Sequence, residues 1–173
     1  MKKSLSLLII AIIALTSSIN ASAKWTDHNT FNLKGPVKAV YGKYGAIWEF
    51  KENGTLYLME GVDIIIDSRD KLGRITSIDA SAIASFYGYI YNQKGLLIKE
   101  NYTGGSRAYQ STKKYTYNSK GQVIKEVFST EDGYRITTTY TYQKFDSYGN
   151  WIKRTAKTGR KSTVETRTIT YYE

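Results

Sequence analysis

Apolar and polar residues alternate with a period of two along most of this chain. Between residues 134 and 142, Tyr134, Ile136, Thr138, Tyr140 and Tyr142 fall on one face, and Arg135, Thr137, Thr139 and Thr141 on the other. Residues 112–117 do the same, with Tyr115 and Tyr117 set against Thr112, Lys114 and Thr116. That alternation predicts strands with one buried and one wet face. Residues 62–67 are instead a continuous apolar run, which predicts a strand covered on both faces. No segment carries a 3.6-residue period over a useful length. Residues 79–85 come nearest and are too short for a stable helix, so a loop or strand extension is expected there, within which one helical turn fits.

The strands are separated by recurring turn chemistry. Tyr115-Thr116-Tyr117 leads into Asn118-Ser119-Lys120-Gly121, and Val123-Ile124 begins the next strand. Asn tolerates unusual backbone angles and Gly accepts a positive φ. Related stretches lie around Asn53-Gly54, Gly73, Asn92 to Gly95 and Asp146 to Gly149. The turn glycines Gly54, Gly73, Gly95, Gly121 and Gly149 are separated by 19, 22, 26 and 28 residues, by subtraction of their numbers. A drifting period of two strands and two turns indicates an array of hairpins. The drift assigns a looser second turn to each unit, at Thr103-Gly104-Gly105-Ser106, Glu131-Asp132-Gly133 and Thr158-Gly159-Arg160. The expected fold is all-β: an antiparallel meander of about ten strands in a long, twisted or curved sheet. A two-layer sandwich or a partly closed barrel is the alternative.

These units resemble the YD-repeat (Rhs-type) family, whose unit reads aromatic-x-Tyr-Asp-x-x-Gly-Asn before an apolar strand. The copy from Tyr140 to Arg154 is nearest, with Asp146 and Gly149-Asn150. Asn92 and Asn118 stand where the family often has Asp. The opening segment Leu33-Lys34-Gly35-Pro36-Val37 is similar to that of small secreted repeat proteins of Bacteroides-type bacteria. The resemblance implies an architecture and is silent on activity.

Residues 1–23 have the three parts of a secretory signal: Lys2-Lys3, an apolar stretch from Leu5 to Leu15, and Ala21-Ser22-Ala23 before the expected cleavage. The apolar stretch is short of the ~18–20 residues that span a bilayer, so no transmembrane segment is expected after cleavage. Export places the protein in the periplasm or outside the cell. Residues 24–32 then read as a polar arm, with Trp25 or Phe31 as its anchors, and 33–173 as a single repeat domain. Pro36 suits the start of an edge strand, and residues 163–172 read as one closing strand. The chain has no cysteine, so stability rests on burial and sheet pairing, much of it supplied by 16 tyrosines, 3 tryptophans and 5 phenylalanines.

Chemistry is sparse. The single histidine, His28, sits in the polar arm and reads as a solvated surface residue. There is no cysteine nucleophile, no G-x-S-x-G motif and no zinc or calcium spacing. No cofactor or metal is expected, and the chain reads as a non-enzyme. A carboxylate-based hydrolase ranks third as a function, with Asp63, Asp67, Asp70 and Asp79 as its acids. The net charge is +10, and less the two signal-region lysines it is +8. Lys114, Arg135, Lys153, Arg154, Arg160 and Lys161 form the expected basic surface. Export argues against nucleic acid, leaving a polysaccharide or anionic cell-surface polymer as the partner, or a protein adding a strand to a sheet edge. Sugar-stacking candidates are Trp48, Tyr87, Tyr89, Tyr115, Tyr148 and Trp151. The first expectation is therefore a binding module, and the second a structural repeat without a ligand.

Overall fold

The computed structural model describes residues 25–104 and 109–173. The expected signal segment and Gly105-Ser106 of one expected turn lie outside these. Among the described residues no helix is long and apolar enough to cross a membrane.

The fold is all-β and antiparallel. A short helix, α1 (Asp27–Thr30), precedes strands β1 (Val37–Gly42), β2 (Gly45–Phe50), β3 (Leu56–Met59) and β4 (Val62–Asp63). Then come β5 (Ile65–Arg69), β6 (Ile75–Ala80), β7 (Ser85–Tyr91), β8 (Leu97–Gly104) and β9 (Tyr109–Tyr117). The last are β10 (Val123–Thr130), β11 (Arg135–Phe145), β12 (Trp151–Thr158), β13 (Lys161–Thr166) and β14 (Thr168–Tyr171). Strands β5 to β13 form an unbroken nine-stranded meander. The other five form a second sheet in the order β14-β1-β2-β3-β4, so the last strand closes against the first. The two layers are not closed into a barrel.

Six of the turns share one device. In each the glycine N–H donates to the carbonyl three residues earlier, at 2.8–3.2 Å, from Gly54 to Gly149. The glycine has φ near +80°, a region that disfavours other L residues. In four of the turns the first residue is Asp70, Asn92, Asn118 or Asp146. Its side-chain oxygen accepts from the amides two and four residues on, at 2.8–3.1 Å. The turn needs one acceptor oxygen there, so Asp and Asn serve equally. Thr130 to Gly133 repeats the same tight closure, so the Glu131-Asp132-Gly133 turn is not the looser kind.

After each of the four Asp or Asn turns the outgoing strand carries a bulge. Pairing skips Thr76, Ile98, Ile124 and Ile152 in β6, β8, β10 and β12. A bulge puts one extra residue against the partner strand and resets the in–out alternation. Residues three apart therefore face the same way, as Leu97 and Glu100, Val123 and Glu126, and Trp151 and Arg154 do.

The core lies between the layers. Val37, Val40, Phe50, Leu56 and Met59 of the small sheet meet Ile75, Ile78, Tyr89 and Leu97 of the large one. Fully burying a side chain such as Phe50 stabilises the fold by about 1.5–3 kcal/mol.

Several expectations are corrected. The arm is not a solvated tail: Asp27, His28 and Thr30 are buried. His28 Nε2 lies 2.9 Å from the Val37 carbonyl oxygen, and its ring sits edge-on to Phe50. Both anchors engage, Phe31 stacking on Trp48 at 4.4 Å and Trp25 meeting Tyr91 edge-on. The run 62–67 is not covered on both faces. It breaks at Ile64 as the chain passes between sheets, and Ile65 on the edge strand is 64% exposed. Strand β1 is paired on both sides. Pro36 precedes its first paired residue, so the missing N–H costs nothing. Residues 163–172 are two strands rather than one, with the chain changing sheets at Arg167. The 79–85 stretch holds one turn of 3₁₀ helix, Ser81–Ile83.

Candidate functional site

Between the inner face of the nine-stranded sheet and the N-terminal arm lies a cavity of about 420 Å³. The repeats build it in order. Strand β8 supplies Leu97 and Glu100, β9 Tyr115 and Tyr117, and β10 Val123 and Glu126. Strand β11 adds Tyr140, Tyr142 and Phe145, and β12 adds Trp151 and Arg154. Trp48 of β2 and Thr30 to Asn32 of the arm lie opposite, with Lys34 and Asn150 at one side. Arg167 enters from the point where the chain changes sheets.

The arm is held over the cavity at both ends. Asn32 donates through Nδ2 to the Gly121 carbonyl at 2.7 Å. Asn150 is 2% exposed; its Oδ1 accepts from Lys34 N–H, and its Nδ2 donates to the Lys34 carbonyl and the Tyr171 hydroxyl, at 2.8–2.9 Å. At its start, Asp27 takes a bidentate grip from Arg69 at 2.6 and 2.9 Å.

The tyrosines serve structure first. Tyr91, Tyr117 and Tyr142 donate their hydroxyls to the carbonyls of Ile75, Leu97 and Val123 at 2.6–2.8 Å. Each acceptor is the second residue past a turn glycine, on the preceding strand of the meander. Tyr140 donates to Glu126 at 3.2 Å. Burial pushes the Tyr115 hydroxyl far above its ordinary pKa, with the Glu100 and Glu126 charges adding to the rise. Tyr115 is therefore a neutral donor at any physiological pH.

Charges inside the cavity are divided. Glu100 pairs with Lys113 at 3.2 Å. Arg154 pairs with Glu165 at 2.6 Å and lies against the rings of Tyr140 and Trp151, at 3.8 and 4.2 Å from their centroids. Glu126 has no cation within ion-pair reach among the described residues, and Arg167 has no anion.

The aromatic candidates separate. Trp48, Tyr115 and Trp151 line the cavity. Tyr87 and Tyr89 lie outside it, Tyr89 packed in the core at 4% exposure. Tyr148 is exposed at its turn and lies against Tyr171. Phe31 covers Trp48, and two guanidiniums lie against Trp151. These rings are not open, coplanar stacking platforms. Among the basic candidates Lys114, Arg135, Lys153, Arg160 and Lys161 are exposed. Arg154 is not on the surface, because the Ile152 bulge turns it inward. The acids Asp67 and Asp70 are bound elsewhere, by Ser77 and Arg74, and none of Asp63, Asp67, Asp70 and Asp79 lines the cavity.

Glu100, Glu126 and Arg167 do line it and were not singled out from sequence. The available signal was the repeated Ile-Lys-Glu at 98–100 and 124–126, answered by Ile-Lys-Arg at 152–154. Among the described residues no group of three or more His, Cys, Asp or Glu could hold a metal ion. No family model matches this chain, and no curated protein matches it in sequence.

Proposed function

We propose that this protein is an exported binding module that takes a saccharide, or the end of a cell-surface polymer, into the cavity beneath its N-terminal arm. One observation carries this reading: successive repeats each turn a polar or charged side chain inward, onto a single cavity of about 420 Å³. That volume lies within the ~300–1,000 Å³ range of small-molecule sites and accommodates one or two sugar rings. Recognition is by hydrogen bonding more than by stacking, since guanidiniums and Phe31 already cover the tryptophans. The likeness of the turns to YD repeats is consistent with a scaffold role for the sheet, the ligand being read by what faces inward.

The test is tryptophan fluorescence of the purified protein, titrated with mono-, di- and oligosaccharides. Saturable changes are expected, and substituting Trp151 by Phe should remove most of the signal. Absence of a response across the whole set, in fluorescence and in thermal stabilisation alike, would sink the reading and leave a structural repeat.

A second reading is favoured by the two carboxylates, Glu100 and Glu126, that line the same cavity. Paired acids are the minimum requirement of a glycoside hydrolase. Release of sugar from an oligosaccharide that binds, abolished by Glu126→Gln, would establish hydrolysis. Binding without release would exclude it for that substrate.

A further inference from the structure

The repeats assign one inward position the same task in successive copies. Tyr91, Tyr117 and Tyr142 each donate one hydrogen bond across to the strand before, to the carbonyl two residues past the turn glycine. In the last copy that carbonyl belongs to Trp151, and its donor is Arg167, through Nε at 2.7 Å. An arginine thus occupies the tyrosine's place. A phenol has one donor and spends it on the bond. A guanidinium has five N–H groups and spends one. The terminal amino groups of Arg167 have no hydrogen-bond partner among the described residues; the guanidinium lies against the Trp151 ring at 4.0 Å, and the side chain lines the cavity.

This arginine is 8% exposed and has no carboxylate within ion-pair reach among the described residues. Burial, with the Arg154 charge adding, draws its pKa down to about 10. Buried charges are ordinarily paired, and a guanidinium fits a carboxylate or other planar oxyanion through two parallel bonds. A tyrosine would have served the sheet without burying a charge. The Arg154 charge beside it is already answered by Glu165, and Lys34 and Lys120 at the cavity are exposed to solvent, so Arg167 is the buried cation left for a ligand. Glu126, with no cation partner, faces the same cavity and accepts hydrogen bonds from hydroxyls.

We infer that the ligand is an acidic saccharide of the uronate class, its carboxylate seated on Arg167 and its hydroxyls on Glu126 and the neighbouring tyrosines. The inference rests on the cavity being the binding site. It adds the charge of the ligand and the residue that reads it.

The experiment compares glucuronate with glucose, which share a ring and differ at C6, by calorimetric titration of the purified protein. Glucuronate is expected to bind at least tenfold more tightly. Arg167→Tyr restores the residue used in the other copies and keeps a donor for the Trp151 carbonyl, so the variant should retain its melting temperature within a few degrees. Its preference for the acid should fall to about unity. Equal binding of both sugars by the native protein would overturn the inference while leaving the cavity as the site. Retained preference in a folded Arg167→Tyr variant would overturn the role of Arg167. Binding of neither would count against cavity and charge together. The comparison in the native protein decides the ligand's charge even if the variant fails to fold.

Discussion

The arm that covers the cavity is held at its start by an ion pair of which only the carboxylate is buried, so the two halves of that pair should not be equivalent. Asp27 is 2% exposed, while the Arg69 side chain keeps 35% of its exposure. The carboxylate accepts from both terminal nitrogens of Arg69, at 2.6 and 2.9 Å, and from the Leu56 amide at 2.8 Å. These bonds tie the arm at once to β5, the edge strand of the large sheet, and to β3, an inner strand of the small one. Removing one partner of a buried pair costs about 3–5 kcal/mol, because the other is left without compensation. In Asp27→Ala the guanidinium turns to water and keeps the Gly73 carbonyl at 2.7 Å. The cost then lies at the low end, about 3 kcal/mol, part of it the orphaned Leu56 N–H. In Arg69→Ala a carboxylate stays buried with one amide donor, and the cost moves to the high end, about 4–5 kcal/mol. For a domain of this size each kcal/mol shifts the melting temperature by roughly 2–4 °C. Asp27→Ala should therefore lower it by about 6–12 °C, and Arg69→Ala by more.

The double variant supplies the decisive comparison. It strands no charge, so it should be less destabilised than Arg69→Ala alone and close to Asp27→Ala. Urea denaturation of the four proteins, with coupling taken from the double-mutant cycle, checks this. Additive losses, or an Arg69→Ala milder than Asp27→Ala, would refute the claim that the buried carboxylate dominates the clamp.

Other consequences are smaller. His28 is buried, and desolvation lowers its pKa below 6.5 despite its hydrogen bond to Val37. The unfolded chain then binds the extra proton first, so stability is full above about pH 6.5 and falls as the pH drops below it. A chain with this one histidine should lose that slope in His28→Asn, as read from urea midpoints across the window. Gly73 and Gly95 share φ near +80°, but an added Cβ meets nothing at Gly73 and the Trp25 ring at 3.0 Å at Gly95. Both alanine variants should lose about 1–2 kcal/mol to backbone strain, with Gly95→Ala losing more and perturbing Trp25 fluorescence. Tyr117→Phe removes the bond to the Leu97 carbonyl at 2.6 Å and should cost about 0.5–1.5 kcal/mol in thermal denaturation.

The meander was legible because its information is local. Alternation in 134–142 assigned the faces of β11 correctly, from Ile136 inward to Thr141 outward. The turn glycines located the hairpins to the residue, since few other residues accept their φ. The second layer was not legible in the same way. Asp27 and Arg69 are far apart in sequence, and nothing around Asp27 signals burial. Polar residues 26–30 carry no period because they are fixed by hydrogen bonds to distant strands and not by an apolar stripe. The apolar run at 62–67 misled for a related reason: its length suited a central strand, and the chain used it to cross between sheets.

The cavity was hidden by a single device. Strict alternation places Leu97 and Glu100, Val123 and Glu126, or Trp151 and Arg154, on opposite faces. One bulge per outgoing strand places each pair together. The bulge residues are Ile98, Ile124 and Ile152, β-branched residues that read as ordinary strand. Once the bulge is included, the repeat becomes its own reference. The same offset from the turn glycine holds Ile78, Glu100, Glu126 and Arg154, and the same carbonyl is met by Tyr91, Tyr117, Tyr142 and Arg167. A scaffold that needed only packing would keep Ile at the first offset and Tyr at the second, as the earliest of these copies does. The later copies put charged residues at the first offset, and the last puts one at the second as well, where the arm leaves a cavity to face. Function in this chain is therefore sought where a copy departs from its neighbours, and the departures converge on Arg167.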